Sequence, residues 1–213
     1  MAGAEFESTH TGHMGPSNLW NVQDSGQAEP FPKCECEDTN AVNMAFAASP
    51  EAAPFPRCPW AVDLRDKAFP GRPKAQVNAK ADPMNLLGQW FWESGFDKDP
   101  INDVEWMRDM NFRAMYGAWD TLKNVDKLYA NYKLNWAAYI AGKRESRRLL
   151  GDVVLSGDDF RTNREYADAC FPCTWTIDLH LPDPAYGVEF ISKASHGKYK
   201  TPYWAPYRCL YSR

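Results

Sequence analysis

The sequence is short of the features that announce most nucleotide-binding, membrane and hydrolytic proteins. Its 213 residues contain no Gly-x-Gly-x-x-Gly and no P-loop pattern, so they lack the tight glycine turn that seats a pyrophosphate at a helix N-terminus. The absence of a Gly-x-Ser-x-Gly elbow removes a serine-hydrolase reading. No stretch approaches the roughly 18 to 20 consecutive apolar residues that a bilayer span requires. The opening segment has neither the basic nor the apolar region of a signal peptide, so no membrane association is read and the compartment stays open. Blocks of like charge are missing too: the net charge is -4, with acids and bases interspersed, which gives nucleic acid no electrostatic footprint.

Aromatic residues, by contrast, are plentiful: nine Trp, ten Tyr and eleven Phe, enough to fill a core and to line a ligand pocket as well. The six cysteines, Cys34, Cys36, Cys58, Cys170, Cys173 and Cys209, do not establish disulfides in a chain this long. Buried free thiols are their plainest reading.

Proline and periodicity divide the chain. Residues 1–83 are proline-rich and poor in regular patterns, which fits loops and short extended pieces. Within them Pro30-Phe31-Pro32-Lys33-Cys34 is echoed by Pro54-Phe55-Pro56-Arg57-Cys58, and 35–53 between the copies reads as an insertion. Residues 84–213 read as an α+β domain, with a mixed or antiparallel sheet and one long buried helix. The helix is expected from Asp99, as N-cap, to near Asn124, because apolar residues recur there at three- and four-residue spacing. Alternation predicts strands over 133–141 and 174–181, with a further strand over 149–155. A short helix capped by Ser156 or Asp158 is expected over 158–163, and extended segments follow 182 to the C-terminus.

Three groups of residues carry possible chemistry. The strand over 174–181 puts Trp175, Ile177, Leu179 and Leu181 on one side and Thr176, Asp178 and His180 on the other. An imidazole exchanges protons near neutral pH, and a carboxylate two residues away can orient it; a solvated outer strand face has the same pattern. Lys143-Arg144-Glu145-Ser146-Arg147-Arg148 gathers four cations, suited to an anionic group or to a solvated bend with a local ion pair. Cys170-Phe171-Pro172-Cys173 has dithiol spacing, but it leads into a strand rather than a helix N-terminus, and no second well-spaced pair completes a metal site. No metal is therefore expected.

Five segments together resemble a bacterial family of FAD-dependent oxidoreductases with a glutathione-reductase-like flavin domain. They are Met14-Gly15-Pro16-Ser17-Asn18-Leu19-Trp20, Asn111-Phe112-Arg113-Ala114-Met115-Tyr116-Gly117-Ala118-Trp119-Asp120, the stretch 142–152, the stretch 175–180, and Pro206-Tyr207-Arg208-Cys209-Leu210-Tyr211-Ser212-Arg213. The resemblance implies that this chain corresponds to the middle, substrate-domain portion, without the segments that grip the FAD phosphates. FAD is then the cofactor of the full-length parent and is not expected to bind this chain alone; no cofactor-binding residue is assigned. The implied partners are a missing FAD-binding domain, in cis or in trans, and a small-molecule substrate. On that placement His180 is the acid or base and Asp178 orients it, while Arg144, Arg147 and Arg148 bind anionic groups and hydride passes to or from the flavin. The rivals are an aromatic-rich carbohydrate-binding module presenting Trp90, Trp92 and Trp204, and a thiol redox or metal protein using Cys170 and Cys173.

Overall fold

The structure, a computed structural model, describes residues 3–10, 12–31, 60–69, 72, 93–182 and 192–213. The echoed Pro-Phe-Pro-Cys motifs beyond Phe31, the 35–53 insertion, Trp90, Trp92 and the first three cysteines lie outside them.

The long helix is built largely as its periodicity demands. Asp99 Oδ1 accepts the N–H groups of Ile101 at 2.8 Å and Asn102 at 3.1 Å, and these bonds hold its carboxyl below the usual range. One turn later the regular helix α1, Val104–Asp120, begins. It runs on into a π-helical turn, Thr121–Val125, so the chain leaves the helix one residue past the expected end. Buried Lys123 closes this end by donating from Nζ to the carbonyls of Tyr129 (3.1 Å), Ala130 (3.3 Å) and Tyr132. Burial pushes its ammonium pKa down.

The described strands form four antiparallel ribbons of two strands each. β1 (Phe6–Ser8) pairs with β4 (Arg147–Leu149), and β2 (Trp20–Asp24) with β3 (Tyr132–Ala137). β5 (Ala169–Cys173) pairs with β8 (Tyr203–Pro206), and β6 (Ile177–Pro182) with β7 (Ser192–Gly197). The α+β class and the antiparallel pairing agree with the sequence reading. The strand expected over 149–155 is instead the three-residue β4, placed earlier. A short helix α2, Gly157–Thr162, is closed by a capping box between Ser156 and Asp159. Asp168, just before β5, holds Arg208 by a two-pronged contact of 3.0 and 2.9 Å. Among the described residues no helix is long and apolar enough to cross a membrane.

The apolar core lies between α1 and the β2–β3 ribbon. Trp20, Val22, Leu64, Ala114, Met115, Ala118, Trp119 and Leu122 are buried together. The Trp20 and Trp119 rings meet edge to face at 6.2 Å, a geometry worth about 0.5–1.5 kcal/mol beyond the area it buries. In β3 the expected alternation fails after Leu134. Val22 is opposite Leu134 while Asn21 is opposite Trp136, so Asn135 is the extra residue of a bulge. One inserted residue sends the following side chains to the opposite face, and Trp136 and Ile140, expected on the Leu134 side, are exposed.

Candidate functional site

The site is assembled around Ser17, which forms single antiparallel bridges to Glu93 on one side and Gly142 on the other. The Ser17 and Gly142 backbones exchange hydrogen bonds of 3.1 and 2.7 Å, which places Arg144 two residues further on. Glu93 is fixed by its neighbours. A Cβ at Gly15 would lie 2.6 Å from the carbonyl oxygen of Ser94 and 3.2 Å from Glu93 Cβ, so the two chain segments touch through bare backbone. The Ser94 hydroxyl then donates to the Met107 carbonyl of α1 at 3.2 Å. Asn111, buried in α1, donates to the Pro16 carbonyl and to Asn18 Oδ1, both at 2.9 Å. Buried His13 adds a contact from Nε2 to the Lys98 carbonyl at 2.8 Å. Every polar group that seats the acid is thus anchored to the helix or to the chain beside it.

Onto this platform β6 brings Asp178 and His180. His180 Nδ1 lies 2.7 Å from Glu93 Oε1, and Arg144 Nη1 lies 3.0 Å from the same oxygen. Arg144 Nη1 is also 3.2 Å from Nδ1, and Nη2 is 3.6 Å from Asp178 Oδ2. His180 Nε2 approaches Asp178 Oδ1 at 3.2 Å, an ion-pair distance without the alignment of a hydrogen bond. Side-chain exposure grades across the cluster, from 0% for Glu93 and 6% for His180 to 22% for Asp178 and 31% for Arg144. Two carboxylates, a guanidinium and an imidazole share one partly sealed space, open on the Asp178–Arg144 side. Buried charge is tolerated where it is paired in this way. The arrangement can hold a proton on an imidazole beside a cation and accept a substrate from one direction.

The structure brings together Asp178, His180 and Arg144, and the polar face that carries Asp178 and His180 is the covered one. β6 begins at Ile177 rather than at 174, which leaves Trp175 ahead of the strand and 73% exposed; within it Leu179 is 51% exposed, while His180 is buried. No second apolar layer covers the Leu179 side among the described residues, whereas the polar side meets Glu93 and Arg144. Arg147 and Arg148 go elsewhere, to the β1–β4 ribbon. The Arg147 guanidinium lies 5.4 Å from the Phe6 ring centroid, and Arg148 pairs with Glu7 at 3.2 Å and with the Thr9 hydroxyl. Glu145, read as a local ion-pair partner, instead accepts the Met14 N–H at 2.7 Å. Glu93 was missed by sequence reasoning, since it sits in an irregular segment and its partners are 51 and 87 residues away.

The rival sites have weaker geometry. Cys170 and Cys173 lie within β5 itself, and burial pushes the Cys173 and Cys209 thiols up, away from reactive thiolate. Among the described residues no group of three or more His, Cys, Asp or Glu is placed to hold a metal ion. Trp204, the one described ring of the three proposed for sugar stacking, is exposed. It borders a cavity of about 480 Å³ with Arg164, Tyr166, Lys200 and Tyr203, which includes neither Asp178 nor His180.

A sequence model of the family described as FAD dependent oxidoreductase matches residues 10–213. No curated protein and no solved structure matches the chain. FAD is the cofactor of the matched family. Its pyrophosphate is ordinarily taken up at the turn of a parallel βαβ unit, facing a helix N-terminus. Among the described residues all strand pairs are antiparallel, and the turn ahead of α1 is closed on itself by Asp99, whose carboxylate takes the Ile101 and Asn102 N–H groups. The described residues do not fit that phosphate group.

Proposed function

The chain belongs to the FAD dependent oxidoreductase family, and from that premise we propose that it supplies the substrate side of a flavin pocket, whose nucleotide grip comes from an FAD-binding domain in cis or in trans. The redox chemistry is the flavin's. This chain's residues hold a small-molecule substrate and move a proton: His180 as acid or base, Asp178 orienting it at the open edge. Arg144, Arg147 and Arg148 are the candidates for anionic substrate groups. Arg144, which spans both carboxylates, is the one beside His180. The observation that carries this reading is the burial of the His180 ring between two carboxylates and a guanidinium, two of which, Asp178 and Arg144, are partly exposed. Titratable groups gathered with specific charge partners recur at functional sites, and structural ion-pair networks gather them too, so the assay below decides.

The test joins the chain to an FAD-binding segment of the family and follows flavin absorbance through reduction and reoxidation by candidate substrates. His180→Asn is expected to slow turnover by about 10²- to 10⁴-fold without loss of bound FAD. Unchanged turnover would remove His180 from the reaction and this reading with it.

A further inference from the structure

We propose that Glu93 is the positioning residue of this site: it fixes the His180 proton on Nδ1 and so leaves Nε2, on the Asp178 side, as the nitrogen that exchanges protons with substrate. The proposal rests on the reading of His180 as the proton-transferring group and deepens it by naming the atom. The argument is geometric. Nδ1 is 2.7 Å from Glu93 Oε1, the shortest contact the ring makes in the cluster. If Nδ1 were bare, two lone pairs would face each other at that distance, whereas an Nδ1–H donates directly to the carboxylate. Arg144 Nη1, also donating to Oε1 at 3.0 Å, reinforces the acceptor rather than competing for the ring, from which it is further away at 3.2 Å. The Ser17 hydroxyl is the fourth member, donating to Oε1 at 3.5 Å.

Nε2 has no comparable hold. Its neighbour Asp178 Oδ1 is at 3.2 Å and out of line for a hydrogen bond. Access follows the same division. Glu93 is wholly buried and Arg144 Nη1 lies beside Nδ1 as well, so Nδ1 is the enclosed nitrogen, while Asp178, on the Nε2 side, is partly exposed as a residue although its Oδ1 is buried. An imidazole anchored by one nitrogen to a carboxylate is oriented for transfer at the other, and the anchoring partner sets which nitrogen carries the proton.

The test is ¹⁵N NMR of the imidazoles in the full 213-residue chain, which has four histidines; His180→Asn identifies the signal. At a pH where the His180 ring is neutral, the expected spectrum has a protonated, pyrrole-type Nδ1 and a bare, pyridine-type Nε2. Glu93→Gln should shift the population toward protonated Nε2, because the introduced amide can donate to Nδ1 where the carboxylate only accepts. A wild-type ring protonated on Nε2 would overturn the proposal, and needs no variant to fold. So would an unchanged tautomer in Glu93→Gln, or a ring still doubly protonated at the alkaline limit of folding. The flavin assay separates the two levels. A tautomer shift with His180→Asn still fully active sinks the catalytic reading alone; an inactive His180→Asn with no tautomer shift sinks the role of Glu93 alone.

Discussion

Around Trp119 the chain is held by shape, and around His180 it is held by charge. In the first region a single helix presents Ala114, Met115, Ala118, Trp119 and Leu122 to a ribbon carrying Trp20 and Val22, and each contact is apolar and replaceable by others of similar size. In the second, four side chains from three separated stretches of sequence meet through specific atoms, and removing one leaves the others uncompensated. The difference teaches how each region responds to substitution: the packed region tolerates change by degrees, and the charged region fails by partner.

The comparison can be broken most forcefully in the core. Trp119→Ala should cost about 3–5 kcal/mol, read from the urea midpoint; a loss under about 1 kcal/mol would mean the packing around α1 is not what holds this half. Next in size is Arg144→Met, expected to cost about 1.5–3 kcal/mol because two charged partners lose a donor. Arg148→Met, at the middle of the exposed three-residue β4, should stay within about 0.5 kcal/mol by the same measurement. Equal losses for the two arginines would erase the distinction between the cluster and the ribbon. The smallest effect concerns acid. The Arg208 side chain and N–H hold the Asp168 carboxyl from its ordinary 3.8 down to about 2. A lowered native value means the contact stabilises above the ordinary value and is lost as pH falls through about 2. Thermal melts from about pH 5 downward should therefore fall less steeply in Asp168→Asn than in the unaltered chain.

How much of this was legible beforehand follows from the range of the forces involved. The helix was visible because its stripe recurs every three or four residues, and the Asp99 turn and the Ser156 box because their partners sit within four residues. The bulge at Asn135 was not, since nothing in an alternating string says where one residue will be skipped by the partner strand. Asp178 and His180 were visible as neighbours on one face, yet the direction of that face depends on which layer arrives to cover it. That layer includes Glu93, whose identity as a partner is set only when Ser17 brings residues 93 and 142 to either side of itself. Arg144 was legible as one cation among four; only the fold separates it from Arg147 and Arg148.

The backbone contact at Gly15 deserves its own consequence. Residue 15 bears no charge and touches no ring, yet it decides how close the strand carrying Ser17 can lie against the peptide after Glu93. A single methyl group there would act as a shim, lifting the acid away from the imidazole while leaving every ionisable group in the sequence intact. The spacing of the cluster is in this sense set by bare main chain, at a residue with no side chain at all.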